Sequence, residues 1–142
     1  ITREPGEMQI HVMGPLTTGL ADTVESLKEI DWAAGAAEHS RQITVRTDTL
    51  AAVLARHAAP QRFELMVVDI EGAEKPVVED LLVSRWRPGV LIVELVDRHP
   101  NFGHMPALQR EHREVREALA ANGYDLFDSD DINSIFRLAD HG

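Results

Sequence analysis

An α/β chain with a pair of parallel strands at its centre and an antiparallel hairpin at its end is predicted by three features of this sequence. Leu65-Met66-Val67-Val68 and Val90-Leu91-Ile92-Val93 are continuous apolar runs, the pattern of strands buried on both faces under helices. Between them, Val77, Val78, Leu81 and Leu82 form an inward stripe on a helix over about 74–85, so the segment reads as a βαβ unit. Near the end, two short strands at about 124–127 and 134–138 are separated by the acidic, turn-rich stretch Asp128 to Asn133, a spacing that predicts antiparallel pairing.

The other elements follow from local pattern. Met8, Ile10 and Val12 alternate with polar residues, which predicts a half-buried strand ended by Gly14-Pro15. Leu20, Val24, Leu27 and Ile30 recur at helical spacing, so a short amphipathic helix is expected over 21–31. Residues 33–41 are small and polar and read as a mobile loop. Ile43, Val45 and Thr47 alternate as a second strand. Thr47 or Asp48 is then placed to cap a helix whose apolar face is Leu50, Val53, Leu54 and His57. The long helix runs from Pro106 to about Asn122, with Leu108, Val115 and Leu119 inward and Gly123 as its stop.

The 142 residues suit a single domain, 1–142. A net charge of −10 repels phosphate backbones and anionic lipid, so neither nucleic acid nor membrane is an expected partner. The absence of cysteine removes disulfides, thiolate metal sites and a cysteine nucleophile. No leader pattern and no apolar run of membrane-spanning length occurs, which sets a cytoplasmic expectation. No two glycines are two apart, so neither a Gly-x-Gly dinucleotide fingerprint nor a P-loop is present.

Chemistry is expected beyond the carboxyl ends of the parallel strands, where open α/β sheets bind ligands. The first strand runs into Asp69-Ile70-Glu71-Gly72-Ala73-Glu74 and the second into Glu94. With the strands adjacent and parallel, Asp69 and Glu94 meet at one sheet edge, and Gly72 lets the backbone turn sharply. A carboxylate directly after a buried strand is costly unless paired, hydrogen-bonded or exposed. Asp69, Glu71 and Glu74 are therefore either functional acids or caps of the following helix, and Glu94 is either functional or paired with an arginine such as Arg98. His99 and His104 lie in the loop after the second strand, where substrate pockets are often built. His112 falls on the apolar side of its helix and reads as a packed histidine.

Val-Arg-Thr-Asp-Thr-Leu (45–50), Val-Val-Asp-Ile-Glu-Gly-Ala-Glu (67–74), Gly-Val-Leu-Ile-Val-Glu-Leu (89–95) and the ending Gly-Tyr-Asp-Leu-Phe (123–127) with Asn-Ser-Ile-Phe (133–136) occur in this order. Together they resemble the FkbM-type methyltransferase family, over nearly the whole chain but in its C-terminal part only. The resemblance implies a Rossmann-like class I methyltransferase fold with S-adenosylmethionine as cofactor. It also implies O-methyl transfer to a small-molecule hydroxyl acceptor, a sugar or natural product. The family's first strands, its glycine-rich cofactor loop and its ribose-holding acid have no counterpart here. The chain is thus expected to be a fragment inactive alone, with an uncovered sheet edge that favours self-association. The other class of function weighed is a non-catalytic α/β module completed by a partner. For methyl transfer, Asp69 or Glu71 would act as base, with Asp69 the first choice, or Asp69 and Glu94 would hold a divalent metal.

Overall fold

The computed structural model describes residues 1–19, 21–29 and 31–139. In order it contains β1 (Gly6–Val12), a 3-10 turn (Gly14–Leu16), α1 (Ala21–Leu27), α2 (Asp31–Glu38), β2 (Arg41–Thr47) and α3 (Leu50–Arg56). Then follow β3 (Arg62–Val68), α4 (Glu74–Val83), β4 (Arg87–Glu94), a second 3-10 turn (Pro100–Phe102), α5 (Pro106–Ala121), β5 (Tyr124–Ser129) and β6 (Asn133–Leu138). Among the described residues no helix is long and apolar enough to cross a membrane.

Two sheets result. β3 and β4 pair in parallel, as the βαβ pattern requires, with Val68 opposite Val93. β6 lies antiparallel to β4, and β5 antiparallel to β6, giving the order β3-β4-β6-β5. β1 and β2 form a separate antiparallel ribbon. The main core lies between the four-stranded sheet and helices α3 to α5, where Leu91, Val93, Val78, Leu81 and Leu119 are fully buried. Two polar tips in this core are satisfied by backbone. The Trp86 indole donates to the Ala59 carbonyl at 3.0 Å, and the Tyr124 hydroxyl to the Pro88 carbonyl at 3.0 Å.

Four expectations are corrected. Residues 33–41 are not a loop, for most of them belong to α2. Ala33 and Ala37, one turn apart, are buried against Val24, Leu27 and Met13, so small side chains here serve close packing in a helix. Leu20 and Ile30, two of the residues that suggested α1, lie outside the described residues. The α3 cap is Thr49 rather than Thr47 or Asp48. Its side chain accepts the Ala52 N–H at 3.1 Å, while the Asp48 carboxylate takes the Thr49 N–H and pairs with Arg56. His57 is exposed just past the helix end rather than on its apolar face.

The fourth correction concerns β3, which is an edge strand and not buried on both faces. Met66 and Val68 turn toward the helices, but Leu65 and Val67 on the opposite face are 52% and 60% exposed. An apolar run shows that a strand can be buried, not that both faces are covered.

Candidate active site

β3 ends at Val68 and β4 at Glu94, and their register places Asp69 level with Glu94. The chain after β3 turns back through two residues of positive φ, Glu71 at 56° and Gly72 at 96°. Glycine takes this conformation freely, whereas a glutamate is held there only when its surroundings fix it. One oxygen from each of Asp69, Glu71 and Glu94 lies within 4.8 Å of the others.

Glu74 and His112 do the fixing. Glu74, the first residue of α4, is fully buried. Its Oε1 accepts the N–H groups of Ile70 and Gly72, each at 3.1 Å, and so closes the loop around Glu71. Its Oε2 lies 3.1 Å from Nε2 of His112, which is also buried. Nδ1 of His112 accepts the Val96 N–H at 2.9 Å. Because Nδ1 is an acceptor, the proton sits on Nε2 and is donated to Glu74. One buried pair thus ties the loop after β3 to the loop after β4. From outside, the Thr18 hydroxyl donates to the Glu71 carbonyl at 3.0 Å. Thr18 is itself bridged to His11, in the small ribbon.

Glu71 faces two cavities. One, of about 210 Å³, is lined by Glu71, Glu94, His99 and Asn101 among apolar side chains that include Leu16, Phe102, Met105 and Leu108. The other, of about 350 Å³, lies against the ribbon, with Met8, Ile10, Thr17 and Thr18 on one side and Asp69, Ile70 and Glu71 on the other. His99 therefore lines the first cavity, as its loop position suggested. His104 is exposed and is not among the residues lining that cavity. Arg98 does not neutralise Glu94; the arginine engaged nearby is Arg116, whose Nε donates to Asp97 at 2.9 Å.

Electrostatics in this cluster favour retained protons. Burial first, then the charges of Asp69 and Glu74, push the Glu71 carboxyl up to about 7. Burial, a hydrogen bond to Asp69 and the neighbouring carboxylates push Glu94 up to about 8. At neutral pH, Glu94 holds its proton and donates it to Asp69, leaving Glu71 poised between its two states.

The sign of the pH effect on stability follows. In the unfolded chain both groups titrate near 4.5; in the folded chain they titrate near 7 and 8. The folded state thus holds more protons across that interval, and stability falls as pH rises through it. The thermal midpoint, followed by circular dichroism, is expected to be higher at pH 5.5 than at pH 8.5. Glu94→Gln should flatten that slope and raise the midpoint at the alkaline end. A wild-type midpoint that rises over this range would contradict the assignment.

The acid pair at the strand ends was legible in the sequence, but the Glu74–His112 link was missed. The signal existed: Glu74 is three and four residues before Val77 and Val78 and His112 four after Leu108, so each lies on the inward stripe of its helix. Two polar groups on facing buried stripes are expected to pair. Nothing local announces that Thr18 and the ribbon reach the site.

The acids thus stand at adjacent strand ends of an α/β sheet, with a cavity on either side. The family model of the methyltransferase FkbM domain matches residues 2–126, and the chain belongs to that family of methyltransferases. No curated protein and no solved structure gives a significant match.

Proposed function

We propose that this chain forms the acceptor side of an S-adenosylmethionine-dependent O-methyltransferase, with Glu71 as the base that takes the hydroxyl proton. The observation that carries the reading is the position of Glu71: a half-buried carboxyl raised to about 7, facing both cavities. A base with that proton affinity is matched to removing a proton at neutral pH. The donor set also fits the cofactor, since grouped carboxylates suit a positively charged sulfonium.

When bound, the cofactor supplies an electrophilic methyl group. Glu71 would take the proton that the acceptor hydroxyl loses on methylation. Glu94, protonated and hydrogen-bonded to Asp69, keeps the cluster from carrying three full charges. His99 contacts the acceptor from the first cavity. In this reading, chain outside residues 1–142 holds the adenosine, because the 142 residues contain no Gly-x-Gly loop.

Two measurements test it. Titration calorimetry of S-adenosylmethionine into the 142-residue chain is expected to show no micromolar binding; such affinity would show that these residues hold the cofactor by themselves. Protein carrying the cofactor-binding segment should transfer labelled methyl to a hydroxyl acceptor, and failure across an acceptor panel would leave the non-catalytic reading. A second reading, favoured by the 4.8 Å grouping of Asp69, Glu71 and Glu94, places a divalent cation among them to acidify the hydroxyl. It predicts turnover that depends on added Mg²⁺ and loses that dependence in both Asp69→Asn and Glu94→Gln. The base reading predicts no dependence.

A further inference from the structure

We infer that the acceptor carries a single hydroxyl on a neutral, apolar body about the size of one six-membered ring, and is not a free sugar. This rests on the reading of the first cavity as the acceptor site and narrows it.

The argument is one of hydrogen-bonding capacity. Several polar groups that line the cavity are already engaged. His112 uses Nδ1 for the Val96 N–H and Nε2 for Glu74. The Gly72 N–H is held by Glu74, and Nδ1 of His99 accepts the Asn101 N–H at 3.1 Å. Apart from Nε2 of His99 and the side-chain amide of the exposed Asn101, the polar groups left to a ligand are the half-buried carboxyls Glu71 and Glu94, which approach within 4.8 Å of each other and so address one point. Much of the remaining wall is Leu16, Val96, Phe102, Met105, Leu108 and Ile132. A pyranose would turn several hydroxyls toward these side chains, and each buried hydroxyl without a partner is costly. An apolar ring with one hydroxyl loses nothing there. Size agrees, for a cavity of 150 Å³ takes up benzene in other proteins, and this one measures about 210 Å³. Grouped carboxyls also repel an anionic acceptor.

The test is a titration of the 142-residue chain, observed through the methyl signals of Met105 and Leu108. Three probes are compared: 4-methylphenol, methyl β-D-glucoside and 4-methylbenzylamine. The phenol is expected to saturate with a dissociation constant of about 1 mM, in line with its few heavy atoms, and the glucoside to bind at least about tenfold more weakly. Leu108→Trp fills the cavity and should abolish the phenol shifts. Met105→Trp, read through Leu108, repeats the test should the first variant fail to melt cooperatively. Glucoside binding as tight as the phenol, absence of phenol binding, or phenol binding unchanged in a folded Trp variant would each overturn the inference. Tenfold tighter binding of the amine would overturn the hydroxyl and assign an ammonium group instead. If the phenol binds but is never methylated by protein carrying the cofactor-binding segment, the methyl-transfer reading fails and the cavity preference stands. If glucosides are methylated while the phenol does not bind, the reverse holds.

Discussion

Glu71→Gln is expected to lower the methyl-transfer rate by about 10²–10⁴ in protein that includes the cofactor-binding segment, the range for losing a positioned general base. The substitution keeps size and shape, and the loop is held by contacts the Glu71 side chain does not make. Glu74 still takes the Ile70 and Gly72 N–H groups, and Thr18 still donates to the carbonyl of residue 71. Stability should therefore change little, or rise at alkaline pH where a half-buried charge has been removed. Cofactor affinity should fall only modestly. The pH profile separates this role from a structural one: wild-type activity should climb through an apparent pKa near 7, and that limb should vanish in the variant. Asp69→Asn is the informative partner. Asp69 comes first along the chain and is the first choice from sequence, yet it is exposed and lines the cavity beside the ribbon rather than the first cavity. Its replacement should act through Glu94, whose proton it accepts, and cost less than the Glu71 change. Near-wild-type turnover in Glu71→Gln would return the role to Asp69 or His99.

His112→Ala is expected to cause the largest loss of stability, on the order of 3–5 kcal/mol. The histidine is buried and donates to a fully buried carboxylate. Its removal strands Glu74 without its Nε2–H partner and leaves the Val96 N–H without an acceptor. For a domain of this size the loss corresponds to a fall of roughly 10–15 °C in the thermal midpoint. His112→Asn should fall between the two, because its amide oxygen can still take the Val96 N–H while the reach to Glu74 is lost. A midpoint in His112→Ala within about 3 °C of wild type, a change of order 1 kcal/mol, would show that the pair is solvated rather than structural.

Legibility in the sequence followed the range of the interaction. The βαβ unit, the long α5 helix and the final hairpin were readable because each is written in a local period. The meeting of Asp69 and Glu94 was readable too, since it follows from two strand ends in parallel register. α2 was not, because its alanines pack by lacking bulk and leave no hydrophobic period. The uncovered face of β3 was hidden because Leu65 and Val67 look the same whether or not something covers them. The second cavity depends on a ribbon whose two strands are separated by α1 and α2, and no short window contains that juxtaposition.

The bare side of β3 has a consequence at the bench. Leu65 and Val67 continue by register into Val90, Ile92 and Ile135, all on the same side of the sheet. The chain as a whole carries a net charge of −10. The folded molecule is therefore an amphiphile in its native state. Environment-sensitive dyes such as ANS, whose uptake is ordinarily the mark of a molten globule, will light up on fully ordered protein. Dye-based melting curves will start from a high baseline and report the stripping of dye from this surface as much as unfolding. For this chain, order has to be judged from near-ultraviolet dichroism or exchange-protected amides, and a bright dye signal is no reason to discard a preparation.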